Sequence, residues 1–144
     1  MSTAETAKDA PLWALPDTVR LAPDGSPRLM GGRCADCGKL VFPRPAVCAH
    51  CLSESQEAAE LASEGVRYSY SVVHAARAGW PTPYVIGYVD LAENVRVCAP
   101  ISCDAAAPPP PDTRMRLEIG RLRTDGQGRE VLSHRFVAID QGDA

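Results

Sequence analysis

The sequence has little basic charge, few aromatic side chains and no long apolar run. Aromatic residues make up 6% of the chain and the formal net charge is −3. Nucleic-acid binders usually carry a surplus of Lys and Arg for phosphate contacts, and single-strand binders add aromatic stacking surfaces. A transmembrane helix needs about 20 consecutive apolar residues. The composition therefore argues against a nucleic-acid partner and excludes a membrane-spanning helix.

The N-terminal residues 1–11 lack the basic start and the apolar stretch of a secretory signal peptide. We therefore expect a cytoplasmic protein. In a reducing compartment the six cysteines are expected to be metal ligands or buried thiols, because disulfides rarely persist there.

Catalytic signatures are also missing. The sequence contains no G-x-S-x-G, no H-E-x-x-H, no phosphate-cradling glycine loop and no recognisable carboxylate pair. Cys98 and Cys103 lack ligand spacing, so we predict that both are small buried hydrophobic side chains. His74 and His134 are too scattered to indicate a nucleophile with its base. We therefore predict that the chain is not catalytic alone.

The pattern of residues predicts a mainly β protein. Alternation at Val66–Val73 is typical of a half-buried strand, Tyr84–Leu91 and Val95–Ile101 read as a hairpin, and two more strands lie near 115–119 and 131–139. Five short strands favour an OB-like barrel, with a five-stranded sandwich as the alternative. The four tyrosines on these strands are predicted to be core residues: Tyr68, Tyr70, Tyr84 and Tyr88.

The chain divides into five predicted parts. Residues 1–30 form an extension with short helical turns broken by prolines, and residues 31–52 form a zinc ribbon. Residues 53–64 are a polar, helix-tolerant linker, residues 65–140 the barrel and residues 141–144 a tail. Within the barrel, the proline-rich run Ala105–Pro111 is expected to be an exposed loop.

Two C-x-x-C pairs predict a metal centre. Cys34 and Cys37 are separated by ten residues from Cys48 and Cys51. Each pair directs two sulfurs at one ion, and four thiolates leave no open coordination position. The ion is therefore expected to be structural, with zinc favoured over iron. Gly38 is expected to take a positive φ after the first pair, and His50 is expected to be an exposed neighbour.

Three basic residues lie around the cysteines in the sequence: Arg33, Lys39 and Arg44. They either offset the net negative charge of a zinc tetrathiolate or bind a phosphate group of a ligand.

The segments Arg33-Cys-Ala-Asp-Cys-Gly38, Phe42-Pro-Arg-Pro45, Cys48-Ala-His-Cys51 and Gly65-Val-Arg-Tyr-Ser-Tyr-Ser-Val-Val73 together resemble a known family. In that family a rubredoxin-like zinc ribbon precedes an OB-fold, and its members occur beside thiolase-superfamily enzymes and enoyl-CoA hydratases. The resemblance covers about Leu29 to Ile139. The family often has proline where Ala49 stands, which affects the rigidity of the turn and leaves the ligands intact.

The resemblance implies an accessory subunit in a hetero-oligomer with a thiolase or thiolase-like aldolase acting on acyl-CoA, whose catalytic residues lie on the partner. It carries the four metal ligands onto Cys34, Cys37, Cys48 and Cys51. For the partner interface we predict the loop 75–83 with Trp80, and secondly Trp13.

Two alternatives remain open. In the first, the chain is a subunit of an enoyl-CoA hydratase complex or a CoA-binding module, and Arg33, Lys39 or Arg44 binds the CoA phosphates. In the second, it is a single-stranded nucleic-acid-binding OB protein.

Overall fold

The computed structural model describes residues 12–139, which form strands and turns without a helix. None of these residues belongs to a helix that could cross a membrane. The strands are β1 (Leu12–Trp13), β2 (Val19–Leu21), β3 (Pro27–Cys34), β4 (Leu40–Val41), β5 (Gln56–Glu60), β6 (Glu64–Val73), β7 (Tyr84–Leu91), β8 (Arg96–Ser102), β9 (Arg114–Thr124) and β10 (Glu130–Ala138).

Strands β6 to β10 close into a five-stranded barrel. The order around the barrel is β6-β7-β8-β10-β9, and β9 pairs with β6 to close it. All of these neighbours are antiparallel except β8 and β10, which run parallel. This confirms the predicted barrel and the hairpin of β7 and β8, and it excludes the five-stranded sandwich. The proline-rich run 105–111 connects β8 to β9 outside any strand, as predicted.

The ribbon sheet is larger than the sequence suggested. Strand β3 pairs antiparallel with β2, β4 and β5. The prediction of short helical turns before residue 30 is wrong for the described residues 12–30, which contain β1, β2 and the first half of β3. Residues 1–11 lie outside the described range.

The helix-tolerant linker is also corrected, because residues 56–60 form β5. Its register places Gln56 opposite Cys34 and Glu60 opposite Met30. The sequence Gln-Glu-Ala-Ala-Glu has poor intrinsic strand preference, so pairing with β3 decides its conformation. Immediately after β5, the backbone N–H of buried Leu61 donates to the carbonyl of Leu29 at 2.8 Å.

Ribbon and barrel share one hydrophobic core. Leu29, Phe42 and Leu61 from the ribbon side belong to the same buried cluster as the barrel residues Val97 and Phe136. The ring of Phe42 also meets the imidazole of His134 edge-on, with centroids 5.1 Å apart and an interplanar angle of 71°. The two parts are therefore fixed against each other by burial.

The prediction that the four strand tyrosines are core residues is wrong. Tyr68, Tyr70 and Tyr88 are exposed and Tyr84 is half-buried, whereas Arg67 is only 1% exposed. A bulge shifts the register between Arg67 and Ser69, so simple alternation does not continue through the strand. The Arg96 side chain stacks on the exposed Tyr68 ring, with its guanidinium carbon 3.7 Å from the ring centroid.

The prediction that Cys98 is buried is also wrong. Cys98 is exposed opposite Tyr88 on the outward face of the β7-β8 hairpin, while Cys103 is half-buried.

Candidate functional site

Four cysteine sulfurs converge at one end of the ribbon. The Sγ atoms of Cys34, Cys37, Cys48 and Cys51 all lie within 4.8 Å of one another. Cys34 Sγ is 3.5 Å from Cys51 Sγ, and Cys37 Sγ is 3.7 Å from Cys48 Sγ. Disulfide sulfurs would be about 2.0 Å apart. A tetrahedron with Zn–S bonds of about 2.3 Å has sulfurs about 3.8 Å apart. The arrangement therefore fits one tetrahedral metal ion.

The two C-x-x-C turns have the same backbone geometry. Gly38 N–H donates to the Cys34 carbonyl at 2.8 Å, and Leu52 N–H donates to the Cys48 carbonyl at 2.9 Å. The residue after each pair has a positive φ, 79° at Gly38 and 67° at Leu52. This confirms the prediction for Gly38. The second turn places an L residue in the left-handed region, which costs energy that glycine avoids.

Backbone N–H groups stabilise the thiolate form of the first cysteine in each turn. N–H donors from Cys37 and Asp36 lower the pKa of Cys34 to about 6. Those of Cys51 and His50 lower the pKa of Cys48, with His50 N 3.3 Å from its sulfur. His50 itself is exposed, as predicted.

The second sulfur of each turn is harder to ionise. The Ser53 N–H favours the Cys51 thiolate, but the neighbouring Cys34 and burial outweigh it and raise the pKa of Cys51 to about 12. The pKa of Cys37 is also raised: burial and the adjacent Cys34 and Cys48 oppose the Lys39 N–H. Four thiolates at this spacing repel one another, so full ionisation requires a cation among them. This supports a metal centre.

The three predicted phosphate-binding residues are exposed, and one of them lines the cleft of the ribbon side. Arg44 lines a cleft of about 610 Å³ with Thr18 and Met30, whereas Arg33 and Lys39 are absent from its lining. Gly32 provides room for Arg44, because a Cβ there would lie 2.6 Å from the Arg44 Cγ.

The two tryptophans lie in different elements, one in a strand and the other in a loop. Trp13 is half-buried on β1 and pairs with Leu132 of β10. Trp80 is half-buried in the loop between β6 and β7, where its ring stacks on Tyr84 with centroids 5.6 Å apart.

The ring of His134 has Ser133 Oγ and the Cys98 carbonyl oxygen as its hydrogen-bond partners, and no cysteine sulfur of residues 12–139 is among them. Burial and the charge of Asp104 raise the pKa of the Cys103 thiol. His134 is buried, its Nε2 lies 3.2 Å from the carbonyl oxygen of Cys98, and burial lowers its pKa. His134 is buried in the barrel and Cys103 packs against its core, whereas Cys98 is exposed.

Comparison with known proteins identifies the family. Residues 24–56 match the family model of the ChsH2 rubredoxin-like zinc ribbon domain, and residues 58–120 match that of the ChsH2 C-terminal OB-fold domain. The chain is 36% identical over 125 residues to the benzoylsuccinyl-CoA thiolase subunit BbsA of Thauera aromatica, covering 86% of each chain. It belongs to the ChsH2 family.

Two further relatives agree with this assignment to the ChsH2 family. A DUF35 domain-containing scaffold protein of Methanocaldococcus jannaschii is 37% identical over 121 residues, covering 78% of this chain and 82% of the relative. The solved structure of the Ltp2-ChsH2(DUF35) aldolase superposes with a TM-score of 0.59 and 28% identity, covering 75% of this chain and 84% of that chain. The predicted resemblance is thereby confirmed.

Sequence reasoning missed two unusual residues of this ChsH2-family chain. Arg67 is buried with its Nε and Nη2 atoms lacking hydrogen-bond partners, and its guanidinium lies 4.6 Å from the ring centroid of Tyr70. Gln56, opposite Cys34, is likewise without partners for its side-chain amide. Arginine is mostly exposed in folded proteins, so nothing in the sequence around Arg67 indicated its burial.

Proposed function

We propose that this chain is a non-catalytic, zinc-binding accessory subunit of a thiolase-type enzyme, either a thiolase or a thiolase-like aldolase, that acts on acyl-CoA thioesters. The observation that carries the proposal is relatedness to a thiolase subunit along most of both chains. The likeness to a solved aldolase that contains a ChsH2 chain supports the same class of partner. The catalytic residues would then lie on the partner subunit.

Zinc is the proposed ion at Cys34, Cys37, Cys48 and Cys51. The sulfur spacing fits a closed tetrahedral site, which leaves no position for water or substrate. Such an ion stabilises the two turns and takes no part in the reaction. Iron in the same four-sulfur shell is the alternative, and the two metals differ in colour and in elemental analysis.

The reducing cytoplasm is the proposed location. None of the six cysteines forms a disulfide, and a reducing compartment keeps cysteines available as metal ligands.

The proposed partner surface contains the loop 75–83 with Trp80, and secondly Trp13. Both rings are half-buried, so each presents part of its surface for contact. Acyl-CoA would lie at the shared interface, with Arg33, Lys39 and Arg44 as candidates for its phosphates. Their exposed positions leave their guanidinium and ammonium groups accessible.

The first experiment is purification of a tagged copy from its native cells, followed by mass spectrometry and elemental analysis of the same sample. We expect a thiolase-superfamily protein in a fixed stoichiometric ratio and one zinc per chain. Recovery of the chain alone, or with nucleic acid, would contradict the proposed function.

The interface is tested by Trp80→Ala with Leu21→Ala as the control, since Leu21 is an exposed apolar residue of the ribbon sheet. We expect Trp80→Ala to weaken the complex by about tenfold or more, as loss of an aromatic anchor does, with unchanged zinc content. An unchanged dissociation constant would remove Trp80 from the interface.

A further inference from the structure

The side-chain amide of Gln56 is buried opposite Cys34. Its Oε1 and Nε2 atoms are both buried, and neither has a hydrogen-bond partner among residues 12–139. A buried amide without a partner costs more free energy than an ordinary hydrogen bond contributes, so buried polar groups in folded proteins nearly always have partners. The burial of this amide therefore requires an explanation beyond strand pairing.

The register of β3 and β5 places the Gln56 side chain beside that of Cys34. The two residues are directly opposite each other in the antiparallel pair. Cys34 turns both backbone groups away from β5, since its N–H donates to the Lys39 carbonyl at 3.0 Å and its carbonyl accepts from Gly38 N–H at 2.8 Å. The two residues therefore form a non-hydrogen-bonded pair, the kind in which the side chains of an antiparallel ladder are closest. Both side chains lie on the same face of the sheet.

The segment that leads into β5 is bonded to both cysteine turns. Cys48 N–H donates to the Ser53 carbonyl and Ala35 N–H donates to the Ser55 carbonyl, each at 2.8 Å. Gln56 is the next residue, so backbone bonds that do not involve its side chain fix its position relative to the sulfur cluster. The amide is therefore available for a contact with the metal centre.

Charge decides which end of the amide a metal-loaded centre attracts. Four thiolates around a divalent cation leave about two negative charges on the centre, which attract the N–H end of an amide and repel its oxygen. Cys34 is only 1% exposed, so the protein has to supply the hydrogen bonds that water would give to its sulfur. An amide donor beside Cys34 meets this need.

We propose that Gln56 is a positioning residue of the metal centre: when the metal is bound, its Nε2–H donates a hydrogen bond to the Cys34 thiolate. This bond satisfies the buried amide, spreads the negative charge of the centre and fixes the Cys34 side chain on β3. Outer donors of this kind change metal affinity by about 10–100-fold. The inference rests on the proposed metal centre and is independent of the thiolase-type partner.

The direct test is nuclear magnetic resonance of the full chain, labelled with ¹⁵N and loaded with ¹¹³Cd in place of zinc. Scalar coupling between the metal and an amide proton is transmitted only through an N–H···S hydrogen bond. We expect this coupling at the Gln56 side-chain amide and at the backbone N–H of His50, whose nitrogen lies 3.3 Å from Cys48 Sγ. The side-chain amide of Gln127, an exposed turn residue, should show none.

The matched variant is Gln56→Met, which keeps the length of the side chain and removes the amide. We expect metal binding about tenfold weaker in chelator competition, whereas the metal-free chain unfolds at the same or a higher denaturant concentration because an unpaired buried amide is gone. A residue that only supported β5 would lower both quantities. Gln56→Glu should weaken metal binding further, since it adds a carboxylate beside the thiolates, and Gln127→Met should change neither quantity.

Two results would overturn the inference: coupling at His50 without coupling at the Gln56 amide, or a metal affinity of Gln56→Met equal to that of wild type. A chain that takes up neither zinc nor cadmium would refute the metal centre and this inference together. Failure of the inference alone is separable from failure of the proposed function, because metal-loaded Gln56→Met should still assemble with the thiolase-type partner.

Discussion

Between residues 35 and 53 the chain buries only Phe42 and Cys48, whereas β7 and β8 alone bury Val85, Val89, Val97 and Ile101 among others. The barrel closes through continuous strand pairing around an apolar core. The cysteine turns instead have a few backbone hydrogen bonds and four sulfurs placed to hold one metal ion. The two regions therefore differ in the source of their stability. Apolar burial stabilises the barrel, whereas metal coordination stabilises the cysteine turns.

Removal of the metal should produce the largest difference in stability between the cysteine turns and the barrel. Structural zinc contributes about 10–16 kcal/mol in small zinc-finger peptides, far more than the few buried side chains near these turns. We expect a chelator, or Cys34→Ser, to release the metal and to deprotect the amides of residues 34–53 in hydrogen exchange while β7 and β8 stay protected.

The matched control is Cys98→Ser, which replaces an exposed thiol outside the cluster and should retain the metal. Simultaneous loss of protection in ribbon and barrel would show that the shared core makes them one cooperative unit.

Phe136→Ala should have the second largest effect, and on the barrel. Phe136 is completely buried, and truncation of such a phenylalanine costs about 3–5 kcal/mol. Denaturant unfolding of the metal-loaded protein measures this cost, and the metal content of the folded variant should remain one ion per chain. Leu21→Ala, at an exposed site, should change stability by less than about 0.5 kcal/mol. Metal loss in Phe136→Ala would contradict the separation of the two regions.

Acidification should weaken the barrel through His134. Burial lowers the pKa of His134 in the folded protein, so below about pH 6.5 the unfolded chain binds a proton that the folded chain does not. The free energy of unfolding therefore falls with decreasing pH, by up to about 1.4 kcal/mol per pH unit.

Comparing wild type with His134→Gln between pH 7.5 and 5 isolates this contribution from acid release of the metal. The variant should show a shallower decline, whereas exposed His74→Gln should follow wild type. Identical slopes for wild type and His134→Gln would refute the assignment.

The smallest expected effect comes from making the two turns alike. Leu52 is 76% exposed and has a positive φ, so Leu52→Gly removes left-handed strain at little loss of burial. Greater flexibility of the unfolded chain offsets part of the gain. We expect tighter metal binding by about 0.5 kcal/mol in chelator competition, and weaker binding by about 1 kcal/mol for Gly38→Leu. Weaker binding by Leu52→Gly would show that the Leu52 side chain makes a stabilising contact.

The metal centre and most of the barrel could be predicted because their signals are local. Two residues between cysteines suit one tight turn, so the pairs at 34–37 and 48–51 indicate a shared ion without knowledge of the fold. The β7-β8 hairpin follows from apolar runs around a short turn. Strand β5 was missed because its polar residues become a strand only by pairing with β3.

The direction of each side chain on β6 could not be predicted from alternation. The bulge after Arg67 and the curvature of a closed barrel place the arginine inside and leave Tyr68 and Tyr70 exposed. The position of the Gln56 amide beside Cys34 is also non-local, since it depends on the pairing of β5 with β3.

Spacing and periodicity, which act over a few residues, were enough to determine the four metal ligands, the strand-rich fold and the order of ribbon before barrel. The tertiary structure alone decided which face of β6 is buried, that residues 56–60 are a strand, and which side chain lies beside Cys34. These features depend on partners distant in sequence: a strand is stabilised by its neighbours, and a buried polar group acts with the charges around it in space.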